Sequence, residues 1–133
     1  MIYLLDTHTF IWAVLNTKNL GRTGREIISD NKNEIYVSTV SFWEISIKTG
    51  LKKFNFENVD INDFPEYAKK MNFSILDMQE NEAITFHQLP LKINHKDPFD
   101  RMLIWQAITK KMTMISKDTN FGQYKKDGLK LIW

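Results

Sequence analysis

Ile2-Tyr3-Leu4-Leu5 is a wholly apolar run that stops at Asp6. Continuous apolarity without alternation marks a strand covered on both faces, so this strand is expected at the centre of a sheet. Thr7 to Asn16 follows, with Phe10, Ile11, Ala13, Val14 and Leu15 in a helical pattern. After the turn-rich stretch Asn19 to Gly24, Thr23 is placed to cap a helix from Gly24 to about Asn31, with Ile27 and Ile28 on its apolar side. Ile35-Tyr36-Val37-Ser38 reads as a second strand.

Ser41-Phe42-Trp43-Glu44 has the Ser-x-x-Glu pattern of a capping box, which predicts a helix starting there and running to Thr49-Gly50. Leu51 to Val59 reads as irregular. Asn62 to Met71 is expected to be helical with Pro65 near its first turn, Phe73 to Leu76 to be a short strand, and Glu80 to Gln88 a further helix. Asp97-Pro98 is a strong helix start, because Asp caps and Pro suits the first helical position. Leu103, Ile104, Ala107 and Ile108 supply the apolar face that follows. Met112 to Ser116 reads as a strand, and Leu129 to Trp133 as a last one after the Asp127-Gly128 turn. Short apolar strands alternating with helices imply an α/β fold with a parallel sheet flanked by helices.

At 133 residues the chain fits one domain, 1–133, and its 43% apolar and 26% charged residues suffice for a packed core. Without cysteine there are no disulfides or thiolate metal sites. No apolar run approaches the length of a membrane span and the start lacks a signal-type pattern, so a cytoplasmic protein without membrane association is expected. A net charge of +2 names no nucleic-acid partner by itself.

Charge placement is more informative. Asp6 and Asp118 each follow an apolar strand and precede Thr, in Leu5-Asp6-Thr7 and Lys117-Asp118-Thr119. In an open parallel sheet the functional crevice lies outside the carboxyl ends of the strands, so both point to one edge. Glu44 and Asp100 fall in the first turns of predicted helices, which begin at that same edge. Singly, each acid has a simpler reading: Glu44 as a capping-box partner, Asp97 as an N-cap, Asp100 as an answer to a helix dipole. As a set, they are carboxylates whose mutual repulsion a hard cation would offset. Oxygen ligands without His or Cys suit Mg²⁺ or Mn²⁺, and the chemistry this supports is metal-assisted phosphodiester hydrolysis. His8 and His95 flank acids and are candidates to assist proton transfer, although lone histidines are more often structural; the Lys pairs at 52-53, 69-70, 110-111 and 125-126 are usually solvated surface, although together they could line a phosphate track. Phe42, Trp43, Trp12 and Trp105 read as core or partner surface rather than base-stacking platforms. No phosphate-binding glycine loop, zinc spacing or nucleophile elbow is present.

Tyr3-Leu4-Leu5-Asp6-Thr7-His8, Ser41-Phe42-Trp43-Glu44-Ile45-Ser46-Ile47-Lys48, His95-Lys96-Asp97-Pro98-Phe99-Asp100-Arg101-Met102-Leu103-Ile104 and Ser116-Lys117-Asp118-Thr119-Asn120-Phe121 together resemble the PIN-domain ribonucleases, in particular the VapC-like toxins of bacterial toxin–antitoxin pairs. The HxDPFDR stretch is the most specific, and the resemblance spans essentially the whole chain. It implies a PIN-like fold and a Mg²⁺-dependent endoribonuclease that hydrolyses RNA, leaving 5′-phosphate ends. Its acidic site maps onto Asp6, Glu44, Asp100 and Asp118, with Asp6, Asp100 and Asp118 as metal ligands and Glu44 binding directly or through water. Thr7, Asp97 and Thr119 are supporting candidates. A small antitoxin that blocks the site and binds operator DNA is the implied partner, and a homodimer is the expected assembly. Two other classes remain: a non-cleaving RNA-binding or scaffold domain, whose mark would be a missing acid, and a phosphatase, which would need a phosphate loop or deep pocket.

Overall fold

The computed structural model describes residues 1–133. Five parallel strands, β1 (Ile2–Leu5), β2 (Glu34–Ser38), β3 (Ser74–Leu76), β4 (Thr113–Ile115) and β5 (Lys130–Ile132), form one sheet in the order β3-β2-β1-β4-β5. The apolar first strand is therefore central. Its alternate residues serve different cores: Tyr3 and Leu5 join Ile35, Val37, Phe10, Phe64 and Phe73 on one face, while Leu4 joins Met114, Leu103, Ile104 and Tyr124 on the other. Both faces are covered, which is why the strand has no polar alternation.

Six α-helices complete the fold: α1 (Thr7–Leu15), α2 (Arg22–Ser29), α3 (Thr39–Gly50), α4 (Phe64–Lys70), α5 (Glu80–Thr85) and α6 (Pro98–Thr109). A 3₁₀ segment, Thr119–Asp127, links β4 to β5. Asp97 caps α6 as the sequence predicts, its Oδ1 accepting from the backbone N–H groups of Phe99 (2.8 Å) and Asp100 (3.1 Å). Leu51 to Val59 is irregular apart from a terminal turn, also as expected.

Two helix starts differ from the sequence reading. Helix α3 begins at Thr39, directly after β2, and its N-cap is Ser38, whose Oγ accepts from Val40 N at 3.0 Å. Ser41 and Glu44 therefore form no capping box. Ser41 Oγ, fully buried, accepts from Thr7 Oγ1 at 3.0 Å, and Glu44 pairs with Lys48 one turn further along the helix. Helix α2 begins at Arg22 rather than after a Thr23 cap, with Gly21 at the N-cap position. A Cβ on Gly21 would lie 2.8 Å from Nε1 of Trp133, so the close indole excludes a side chain there. A capping box does occur elsewhere, between Gln79 and Glu82 at the start of α5.

Gly128 ends the 3₁₀ segment with φ 108°, in the left-handed region that a Cβ disfavours. The nearest atom a Cβ would meet is Ile108 Cγ2 at 3.6 Å, an ordinary contact. Gly128→Ala therefore isolates the backbone effect and is expected to destabilise the chain by about 1–2 kcal/mol, read from chemical denaturation. An unchanged midpoint would disprove this account of the turn.

Candidate active site

The parallel sheet brings the carboxyl ends of β1 and β4 side by side, with Asp6 after the first and Asp118 two residues beyond Ser116 after the second. Helices α3 and α6 bring Glu44 and Asp100 to the same edge. Asp6, Glu44, Asp100 and Asp118 line one cavity of about 240 Å³, together with His8, Trp12, Lys48 and Lys117. All four acids predicted from the sequence are thus brought together.

Each acid is fixed by its local structure. Asp6 caps α1, its Oδ1 accepting from Thr9 N at 2.8 Å and its Oδ2 from the Ser116 hydroxyl. Asp118 caps the 3₁₀ segment through Asn120 N at 2.9 Å, while its own N–H donates to Ser116 Oγ at 3.1 Å. Ser116 is thereby the joint between two carboxylate positions. Thr7 and Thr119, supporting candidates by sequence, do not make these contacts. Thr7 instead bonds Ser41, and the Thr119 side chain faces solvent. The available signal was Ser116 itself, a hydroxyl at the last step of a buried strand.

Asp100 stands in the first turn of α6, and burial followed by the charges of Asp97, Glu44, Asp6 and Asp118 pushes its pKa up to about 8. Burial also raises Asp6, against the opposing hydrogen bonds of Ser116 and Thr9. Lys48 behaves oppositely: burial opposes its charge, yet the Glu44 hydrogen bond and the Glu44, Asp97 and Asp100 charges carry it above the ordinary lysine value. The site is rich in negative charge that its own residues only partly neutralise.

His95 is 4% exposed. Its Nδ1 lies 2.7 Å from the Tyr124 hydroxyl, and its Nε2 faces Asp100 Oδ2 at 3.7 Å without a hydrogen-bond partner. Burial, joined by the Arg101 charge, outweighs Asp118 and Asp97 and lowers its pKa. The second orphan is Glu44 Oε1, on a side chain 1% exposed. His8 lines the cavity but stacks near Trp12 and Phe54, with ring centroids 5.8 Å from each, and bonds no acid. Arg101 of the HxDPFDR stretch lies away from the acids. It donates to Leu89 O at 2.8 Å and Pro90 O at 3.2 Å, anchoring the segment that carries His95 and Asp97.

Lys48 and Lys117 are the cavity's lysines, and neither belongs to a Lys pair. Among the paired lysines, Lys69 and Lys110 pair with Glu66 and Glu82 instead. Phe42 packs edge-on against Phe10 at 5.6 Å, whereas Trp43 stays 57% exposed and stacks on Phe99 at 5.2 Å.

No curated protein matches the chain by sequence. Solved structures do match its fold over 99% of its length. VapBC2 from Rickettsia felis, bound to a DNA fragment from its promoter, aligns with TM-score 0.65 and 18% identity over 98% of that chain. DNA-bound VapBC from Salmonella typhimurium aligns with TM-score 0.65 and 15% identity over 97% of that chain. VapBC-1 from nontypeable Haemophilus influenzae aligns with TM-score 0.64 and 18% identity, again over 97%. The family model of the PIN domain matches residues 3–127, which take in strands β1 to β4 and the entire acidic cavity, and the chain belongs to the PIN-domain family.

Proposed function

We propose that this protein is a divalent-cation-dependent endoribonuclease acting as the VapC-like toxin of a toxin–antitoxin pair. The observation that carries the reading is the cavity where Asp6, Glu44, Asp100 and Asp118 meet from four separate segments. Two buried polar atoms at the site, Glu44 Oε1 and His95 Nε2, have no partner within the protein. A buried polar group left unpaired is costly, and a hydrated cation with its waters would satisfy such groups. The residues present therefore fit Mg²⁺, or Mn²⁺, with Asp6, Asp100 and Asp118 as ligands and Glu44 reaching it directly or through water. When bound, the cation would activate a water and stabilise the leaving oxygen of a phosphodiester.

The chain's own groups have assignable parts. Ser116 and the N–H of Thr9 hold both oxygens of Asp6, leaving that carboxylate a fixed direction rather than a mobile one. Asp97 holds the first turn of α6 and so sets the position of Asp100. Lys117, exposed beside Asp118, offers charge to an incoming phosphate backbone. The VapBC complexes among the structural neighbours support an antitoxin partner. An apolar recess lined by Val40, Trp43, Met78, Phe86, Phe99 and Met102 suits an apolar segment of such a partner. No helix is long and apolar enough to cross a membrane.

Purified protein is expected to cleave RNA with Mg²⁺ or Mn²⁺ and not with chelator, leaving 5′-phosphate ends. Asp100→Asn should fold yet lose more than the roughly 10–100-fold typical of changing an outer-shell partner. Cleavage that persists in chelator, or that survives Asp100→Asn, would refute the reading.

The crowded acids also set a pH dependence in the metal-free chain. The ordinary Asp value is 3.8 and the folded value for Asp100 about 8. The folded state therefore binds this proton more readily than the unfolded state, and stability is lost as pH rises between those values. His95, lowered from 6.5, acts with the opposite sign below that pH, which leaves 6.5 to 8 as the window free of its contribution. Melting temperature should fall across that window in the metal-free wild type and fall less steeply in Asp100→Asn, where only the buried Asp6 still contributes in that sense. A level wild-type profile would show that Asp100 ionises without hindrance.

A further inference from the structure

Lys48 is held far more firmly than a surface lysine. Its ammonium is hydrogen-bonded to Glu44 Oε2 and stands 3.7 Å from Asp97 Oδ2. The rings of Phe54 and Phe99 lie 5.5 and 5.9 Å from it, within cation–π range. These partners come from three different parts of the chain, α3 itself, the irregular segment after it and the start of α6, so the charge is fixed in the wall of the acidic cavity.

Two groups of candidate ligands at the cavity share Asp100, and Asp6 belongs to neither. Glu44, Asp97 and Asp100 form one; His95, Asp100 and Asp118 form the other; in each set the candidate ligand atoms lie within 4.8 Å of one another. Paired-metal phosphodiesterase sites hold two ions about 4 Å apart, and a shared carboxylate is one way to bridge them. The two sets here differ in what neutralises them. Lys48 is ion-paired to two members of the first set, whereas no Lys or Arg pairs with Asp100 or Asp118 of the second, nor with Asp6, which lines the same cavity.

We propose that Lys48 takes the place of a second metal ion: the cavity accepts one divalent cation, at the end formed by Asp6, Asp100 and Asp118, and the Lys48 ammonium is the other positive charge. This rests on the divalent-cation reading of the site. An ammonium carries one charge and three donors in place of a metal's coordination sphere. Glu44 takes one donor, and the ammonium still faces the cavity that an RNA phosphate would enter. The arrangement also explains why Glu44 is half satisfied. Oε2 is committed to Lys48, while Oε1, buried and unpaired, is left for the single ion or its water.

The test is a Mn²⁺ titration of the full chain, read by calorimetry and by electron paramagnetic resonance. Wild type should bind one Mn²⁺ per chain with the spectrum of an isolated ion. Lys48→Gln frees Glu44 and Asp97 and should bind two, with a spin-coupled spectrum, and Lys48→Arg, which keeps the charge, should bind one. Circular dichroism establishes that each variant is folded. Two coupled ions in the wild type would overturn the proposal whatever the variants do, and so would a single ion in folded Lys48→Gln. No Mn²⁺ bound to wild type would instead bring down the divalent-cation reading itself, which separates the two failures.

Discussion

The parallel arrangement of all five strands is the constraint on which the rest of the structure depends. In such a sheet every strand delivers its carboxyl end, and every following helix its amino end, to one edge. Residues at that edge must both end strands and start helices, and Asp serves both tasks. Asp6, Asp97 and Asp118 each accept a backbone N–H at the start of a helical segment. A helix amino terminus favours such a charge by about 0.3–1 kcal/mol, whereas two carboxylates at ~4 Å repel by about 4 kcal/mol at an effective dielectric of 20. Capping alone therefore cannot hold four acids ionised in one cavity. Burial alone raises Asp6, and at Asp100 burial is joined by the charges of Asp97, Glu44, Asp6 and Asp118. A fold that gathers caps at one edge has thereby gathered a cation site.

Order and type of the elements were legible because they follow from local pattern. The apolar run Ile2–Leu5, the Asp97-Pro98 start and the Asp127-Gly128 turn each announce themselves within a few residues. The start of α3 was not legible, since Ser38 and Ser41 both precede an apolar stretch and both are suitable caps. Tertiary partners decide between them: Ser38 Oγ donates to Gln106 Oε1 at 2.7 Å while accepting the helix N–H, and Ser41 is engaged by Thr7. With Ser41 committed inward, the Glu44 carboxylate is released from the helix start and directed to Lys48 and the cavity. Glu44, the expected capping partner of Ser41, is thereby free to serve as a site acid.

The four acids were visible in sequence because they recur at strand ends and helix starts. Their supporting residues were not, because support depends on contacts between distant segments. Ser116 reaches Asp6 across 110 positions, and Lys48 meets Phe99 and Asp97 only once α3 and α6 lie together. His95 illustrates both sides. Its place beside Asp97 was evident, but its burial comes from Tyr124 and Phe121, which pack on it from the Thr119–Asp127 segment.

That packing also gives the HxDPFDR stretch a physical division of labour. Arg101 grips the carbonyls of Leu89 and Pro90 and stacks on Phe86 at 5.0 Å, while Lys92 pairs with Asp127 at 2.6 Å. These contacts pin both ends of a segment that has little regular structure of its own. Pinned, the segment holds both His95 and Asp97 near Asp100, each in a different ligand set. Asp100 is therefore both buried and faced by Asp97, Glu44, Asp6 and Asp118, which is why its pKa departs so far from the ordinary value. A basic side chain next to Asp100 would relieve that strain permanently and leave no demand for a metal. The chain places its half-buried Lys48 one step away, on Glu44 and Asp97, and keeps the strongest demand for a cation at Asp100 itself.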